Sequence, residues 1–419
     1  MRIKKTVLKK ILGEEIFKRV KSIGEICEGM SYSCYLIGGT VRDMILKVPQ
    51  IDIDIVTEGD ITSLITNISK KLRLKRVLRS QFGTTKIIFE DNLSFDIAQT
   101  RKESYPYPAS LPVVEKSTLG EDIKRRDFTI NTLLMGITKK DFGKIFDYLE
   151  GINDIETGII RVLHNKNFID DPTRIFRAFR FKGRLSFRFD RKTKKLIDNA
   201  IKIGIIKKLT PQRIRREIFL SLKEKRWHKI VLEFSRSGLL REIGIKNKIA
   251  RRTINSFEKK LRDFIDIKGN MELTKLLIIT ENAKKKEIET FSQRVGLKKK
   301  ETLFLLEMRN KKRWILTSLS KKEISPKEIY WLLKLIPSDG LIYLIIKGDT
   351  QTRKKIKLYL DNLKDMKAKI KGEDLKKLGF KEGPLYKKIL KMVLDEKLNG
   401  GLTTKKEEIE FVRRFMLSL

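Results

Sequence analysis

The chain has 419 residues, more than one core usually carries, and its 40% apolar content is enough to bury several packed modules. Its 94 Lys and Arg against 53 Asp and Glu give a formal net charge of +41, spread along the chain rather than gathered in a tail, so the expected partner is a polyanion. Two cysteines and two histidines argue against zinc and disulfides, and any metal is expected on oxygen ligands, which favours Mg²⁺.

No apolar run is long enough to span a membrane, since Trp331 to Ile346 is interrupted by Lys334, Pro337 and Asp339. The basic N-terminus lacks a following signal-peptide core, and a soluble cytoplasmic protein is expected.

In chain order, Leu8 to Gly29 reads as helix, Tyr35 to Ile37 as a short strand, and Gly38-Gly39 as a turn into a helical segment from Val41 to Leu46. The paired glycines remove two Cβ atoms where a helix begins, so backbone N–H groups can approach an anion such as a phosphate. A second strand, Ile51 to Val56, alternates Ile51, Ile53 and Ile55 toward the core with Asp52 and Asp54 on the other face. Two acids on one face repel unless a cation sits between them.

Asp60 caps a helix running through Leu72, and Arg76 to Leu78, Thr85 to Glu90 and Ser94 to Gln99 read as further strands of one sheet. Asp96, between Phe95 and Ile97, joins Asp52 and Asp54 if its strand is their neighbour. Arg101 to Lys116 holds Pro106, Pro108 and Pro112, which disfavour regular structure and predict a shaped loop. Further on, Arg125-Arg126-Asp127-Phe128-Thr129-Ile130-Asn131 offers two arginines able to clamp phosphate oxygens and an amide able to bond a ribose hydroxyl. In Asp170-Asp171-Pro172-Thr173-Arg174, Asp171 caps a helix whose Arg174, Arg177 and Arg180 recur every three residues, while Ile175, Phe176 and Phe179 face packing.

The run Gly38-Gly39-Thr40-Val41-Arg42-Asp43 followed by Asp52-Ile53-Asp54 resembles the signature of the class II nucleotidyltransferases, which comprise the CCA-adding enzymes of tRNA and the bacterial poly(A) polymerases. Arg125 to Asn131 and Asp170 to Arg180 match two later motifs of that family, and Asp147 to Asp154 resembles its hinge, with Glu150 where a glycine is usual. The resemblance implies transfer of a nucleoside monophosphate from CTP or ATP to an RNA 3′ end. It places two Mg²⁺ ions on Asp52 and Asp54, with Asp96 as a third acid. Gly38, Gly39, Arg42, Arg125 and Arg126 would meet the triphosphate and Asp127 with Asn131 the sugar; Arg177 and Arg180 would support triphosphate or base.

Asp171 and Arg174 correspond to the family's protein template for the base. Cytosine and adenine both present an amino donor beside an unprotonated ring nitrogen, which matches a carboxylate beside a guanidinium; uracil and guanine reverse the pattern. Beyond Ile205 the sequence reads as amphipathic helices broken at Thr210-Pro211, Gly238, Gly244, Gly296, Ser325-Pro326, Pro337 and Gly340, with lysine runs suited to an RNA track. Residues 372–384 and the helix after them are similar to the tail of bacterial family members.

The expected architecture is an elongated, multidomain chain. An α/β head of mixed sheet and helices spans 1–158, followed by an all-α neck (159–225), body (226–325) and tail (326–419) that grips the acceptor and T arms of tRNA. A poly(A) polymerase, and a non-catalytic RNA-binding protein on the same scaffold, are the alternatives.

Overall fold

Gly13 divides the first predicted helix: its φ of 80° suits no L side chain, and the chain forms α1 (Lys5–Leu12) and α2 (Glu14–Gly29) on either side of it. These belong to a computed structural model that describes residues 1–48, 52–80, 83–247, 249 and 271–417. Ile51, expected in the second strand, lies outside the described residues. The chain separates into two compact units, Met1–Ile243 and Gly244–Leu419.

In the first unit, β1 (Cys34–Ile37) turns through Gly38 into α3 (Gly39–Ile45), and β2 (Ile53–Thr57) returns to pair antiparallel with β1. Asp60 then caps α4 (Ile61–Lys71), accepting from the Ser63 N–H. Next come β3 (Leu74–Arg79), β4 (Thr84–Phe89) and β5 (Ser94–Gln99), the strands that alternation predicted. Together with β8 (Leu134–Gly136) and β9 (Ile145–Phe146), which follow the segments described next, they form a seven-stranded mixed sheet ordered β3-β4-β5-β2-β1-β8-β9, in which only β2 and β5 run parallel. Ile53, Ile55, Phe95 and Ile97 are buried to 2% exposure or less, so the acids between them take the opposite face.

The proline-rich stretch is more regular than expected. Its ends pair as the hairpin β6 (Arg101–Ser104) and β7 (Val113–Lys116), and only 105–112 is irregular. The prolines therefore shape the tip, where no ladder N–H is lost. After α5 (Leu119–Lys124), β8 and β9, Asp147 accepts from the N–H groups of Gly151 and Ile152 at the start of α6 (Gly151–Glu156), with Glu150 left-handed at φ 57°.

The short parallel pair β10 (Ile159–Ile160) and β11 (Arg188–Phe189) brackets α7 (Asn167–Asp170) and α8 (Thr173–Leu185). Then come α9 (Arg191–Lys202), α10 (Pro211–Lys223), α11 (Trp227–Arg236) and α12 (Leu239–Glu242). α8 packs on α10 and α11, and its Phe176 and Phe179 meet Phe234 of α11 edge-on with centroids 5.6 and 5.8 Å away. That packing fixes the rotation of α8 and hence where its arginines point.

Among its described residues the second unit is helical: Met271–Ile279, Lys285–Val295, Lys299–Ser320, Pro326–Leu333, Ser338–Lys347, Thr350–Leu358, Gly372–Lys377, Pro384–Leu398 and Lys405–Leu417. Gly340, expected as a break, lies inside a helix, and a Cβ there would come within 2.7 Å of Ile336 and 3.1 Å of Met308, so it permits close packing. The last three helices enclose their own small core around Ile370, Leu375, Ile389, Val393 and Val412. Among the described residues no single helix is long and apolar enough to cross a membrane. Cys27 and Cys34 are fully buried, as small apolar residues would be. They also face each other as a disulfide pair between α2 and β1, which the sequence reading did not expect.

Candidate active site

The Thr40 hydroxyl, buried at the start of α3, accepts from the Asp54 N–H at 2.9 Å and donates to the Asp52 carbonyl at 3.2 Å, tying the acidic strand to the glycine turn. Asp54 stands opposite Asp96 in the parallel β2–β5 register, and Asp96 opposite Lys86 on β4. The Lys86 ammonium lies 2.9 Å from the Asp96 carboxylate. Asp52 is exposed, and among the described residues nothing donates a hydrogen bond to the side chain of Asp52 or Asp54.

Burial, with the nearby charges of Asp96 and Asp52, pushes the Asp54 carboxyl up to about 6 despite the opposing Arg126 and Lys86. Unbonded carboxylate oxygens under that strain suit a hard divalent cation, so Asp52 and Asp54 fit Mg²⁺. Asp96, already paired, is not part of a three-acid cluster among the described residues.

Gly38, at φ 65°, lets Arg126 approach the turn: a Cβ there would sit 2.9 Å from Arg126 Nη1. Arg126 also bonds Asp122 at 2.9 Å, and Arg125 is held by both Asp122 and Glu103 at 2.7 Å. Behind the turn runs a buried chain of partners. Arg42 donates to Asn131 Oδ1, the Asn131 amide donates to Asp127 Oδ1 at 2.8 Å, and Arg177 donates to Asp127 Oδ2 at 2.8 and 2.7 Å. Burial alone would raise the Asp127 carboxyl, yet the Arg177 charge and the Asn131 hydrogen bond, with Arg174 nearby, bring it down to about 2. Arg42 carries Asp43 at 2.7 Å, and Asp43 in turn meets Arg184 at 2.8 Å.

Asp171 Oδ1 accepts from the Thr173 N–H and hydroxyl at 3.0 and 2.5 Å and from Arg213 at 2.7 Å; its Oδ2 lies 3.9 Å from Arg174 Nε. Arg174 is buried, its Nη1 on Asn167 and its Nη2 on the Arg125 carbonyl at 2.7 Å. Tyr105, from the hairpin tip, reaches Arg174 at 3.5 Å and Glu103 at 3.1 Å. Arg180 faces Glu217 at 3.5 Å and Glu224 at 3.8 Å.

Two cavities of about 570 and 560 Å³ collect these groups and share Arg126, Asp127 and Arg177. One takes in Gly38, Gly39, Arg42, Asp52, Asp54, Asn131 and Arg180; the other Arg125, Asp171 and Arg174. Of the residues singled out in the sequence, Asp96 alone lines neither. The sequence reading missed Arg184, which continues the α8 arginine row four residues on, as well as Lys86, Tyr105 and Arg213. Lys86 follows the strand alternation and was findable; Arg213 depends on tertiary contact.

Residues 34–161 match the poly A polymerase head domain. An A-adding tRNA nucleotidyltransferase of Geobacter sulfurreducens is 33% identical over 408 residues, covering 94% of this chain and 46% of that protein. One of Halalkalibacterium halodurans is 29% identical over 406 residues, covering 94% and 92%. A CCA-adding enzyme in its apo form superposes with a TM-score of 0.84 at 27% identity, over 99% of this chain and 98% of that one. Over almost its whole length the chain is similar to A-adding tRNA nucleotidyltransferases and CCA-adding enzymes.

CCA-adding enzymes with CTP, with ATP and, from Thermotoga maritima, with tRNA are similar at TM-scores of 0.80, 0.82 and 0.78, with 26%, 27% and 25% identity and at least 98% of each chain covered. The chain spans about half the length of the first two curated relatives it matches, 46% and 44%.

Proposed function

We propose that this chain is a tRNA nucleotidyltransferase adding C or A residues of the 3′-terminal CCA from CTP or ATP. The observation that carries the reading is the opposition of the unbonded Asp52–Asp54 pair to the Gly38 turn and Arg126 across one cavity, which continues into the Asp171–Arg174 cavity. Such a double cavity suits a nucleoside triphosphate: phosphates beside the acids and glycines, base beside Asp171. The curated relatives named above are A-adding enzymes, which favours terminal A as the nucleotide added.

In this reading Asp52 and Asp54 would hold Mg²⁺, whose chemistry when bound is to lower the pKa of the RNA 3′-hydroxyl and neutralise charge on the leaving pyrophosphate. Gly39, Arg42 and Arg126 neutralise phosphate charge, Arg125 ties α5 to the β6–β7 hairpin through Asp122 and Glu103, and Arg177 and Arg180 support the triphosphate. Asp127 and Asn131 set the sugar position through the Arg42–Asn131–Asp127–Arg177 chain. Asp171 Oδ2 accepts the base's amino group while Arg174 donates to its ring nitrogen. The helical half would hold tRNA through phosphates and shape.

The test supplies tRNAs ending before CCA, after C and after CC, with Mg²⁺ and CTP, ATP or both, and sizes the products. Extension only of the CC-ended tRNA, by one A, identifies an A-adding enzyme; a stop at CC or stepwise completion identifies the other two types. Long A tails would move the assignment to a poly(A) polymerase. No extension of any substrate would refute it.

A further inference from the structure

Arg213 occupies a position that neither the acids nor the triphosphate explains. It projects from α10, within the stretch Thr210 to Glu217 that loosely resembles the family's last motif and to which the sequence assigned no site residue, and its guanidinium is shared between two structures. Nη2 lies 2.7 Å from Asp171 Oδ1, while Nη1 donates to the Ala109 carbonyl at 2.6 Å and to the Ser110 carbonyl at 3.3 Å. The segment it grips is the irregular tip of the β6–β7 hairpin, held from the other side by the Ala109 N–H on the Ile169 carbonyl at 3.1 Å. Ala109 is 7% exposed and left-handed at φ 67°, a conformation an alanine keeps only when its surroundings enforce it. The neighbouring Ser110 hydroxyl is buried without a partner.

We propose that Arg213 is a positioning residue for base discrimination: it fixes the rotation of the Asp171 carboxylate and makes that rotation depend on the docked hairpin tip. This rests on the assignment of Asp171 to the base. The carboxylate torsion is soft, so geometry comes from whatever its oxygens bond. Arg213 and the Thr173 N–H and hydroxyl all bond Oδ1, leaving Oδ2 turned toward Arg174 as the open acceptor. One guanidinium can do this because its planar fork reaches two acceptors at once; a lysine ammonium at the end of a flexible stem does not reproduce both ends in fixed geometry. Discrimination works by leaving the wrong base's groups unsatisfied, so it fails when the acceptor can rotate away to relieve the mismatch.

The experiment compares the wild type with Arg213→Met, Arg213→Lys and Asp171→Asn. It measures kcat and KM for CTP, ATP, UTP and GTP on tRNA primers, and hydrogen exchange of the amides of 105–112. For Arg213→Met, the ratio of correct to incorrect kcat/KM is expected to fall about tenfold to a hundredfold, with faster exchange at Ala109 and Ser110. Arg213→Lys is expected to recover thermal stability but not that ratio.

Arg213→Met losing all four nucleotides in equal proportion, or leaving hairpin exchange unchanged, would overturn the inference and make Arg213 a structural arginine. If Asp171→Asn shifts the nucleotide ratio while both Arg213 variants leave it unaltered, only the role of Arg213 falls. If Asp171→Asn itself leaves the ratio unaltered, the assignment of Asp171 falls and takes this inference with it. Should Arg213→Met not fold, Arg213→Lys decides through the ratio alone.

Discussion

Asp54 shows how a single residue reports on the site before any substrate arrives. An unfolded aspartate titrates near ~3.9, whereas Asp54 titrates at about 6 in the fold because of burial first and neighbouring acids second. Between those values the folded chain binds more protons than the unfolded one, so this group's contribution to stability rises as pH falls from 7 toward 4. Asp54→Asn is therefore expected to raise the Tm of metal-free protein at pH 7.5, with the difference closing below about pH 5. Mg²⁺ should raise the wild-type Tm and leave that of Asp54→Asn little changed; thermal unfolding across pH, with and without the ion, checks both. Asp127 has the opposite sign: held down to about 2, its stabilisation is complete above ~3.9 and is lost as pH falls toward 2. At the start of α6, Glu150 in the left-handed region forgoes what a glycine supplies without strain. Glu150→Gly should stabilise the chain by about 0.5–1 kcal/mol in urea unfolding, the relieved strain exceeding the added chain entropy.

At the scale of elements, the acid row is a property of strand pairing. Asp54, Asp96 and Lys86 face one another because β2, β5 and β4 are neighbours in this register, and the β4–β5 pairing gives Asp96 a cation of its own. Asp96→Asn is accordingly expected to lower turnover less than tenfold, whereas Asp52→Asn and Asp54→Asn should lower it about a thousandfold or more, a loss of several kcal/mol of charge stabilisation. Steady-state rates at saturating Mg²⁺ make the comparison. The strand residues were legible because alternation of Ile and Asp, or of Phe, Asp and Ile, fixes faces without knowledge of neighbours. The same is true of α8, whose Phe176 and Phe179 announce the buried side opposite the arginines. What the sequence could not convey is which charges already have partners: Arg125, expected to clamp phosphate, is taken up by Asp122 and Glu103. Arg213 was invisible for the same reason, since its acceptors are the carbonyls of Ala109 and Ser110, about a hundred residues away in sequence. The hairpin within 101–116 was missed because prolines at its tip dominate the local signal while its paired ends are only four residues each.

For the whole molecule, the charge of +41 exceeds what one nucleotide site requires, and the lysine runs of the helical unit are not among the residues that line the cavities. If the chain neutralises six or more phosphates, tRNA affinity should fall by about a thousandfold or more between 50 and 200 mM salt, with a linear log–log slope. Filter binding across a salt series measures it, and a shallow slope would confine the RNA contact to the 3′ end. The parallel pairing of β2 with β5 has a consequence for how this protein tolerates change. Phe95 and Ile97 are completely buried on either side of Asp96, so a one-residue slip of that strand would drive the acid into the core and two apolar side chains into the site. The position of the acids is thus inherited from hydrophobic packing on the far face. Variation can accumulate around the cavities while their geometry persists, and a conservative substitution such as Phe95→Leu can shift the acids without replacing any of them.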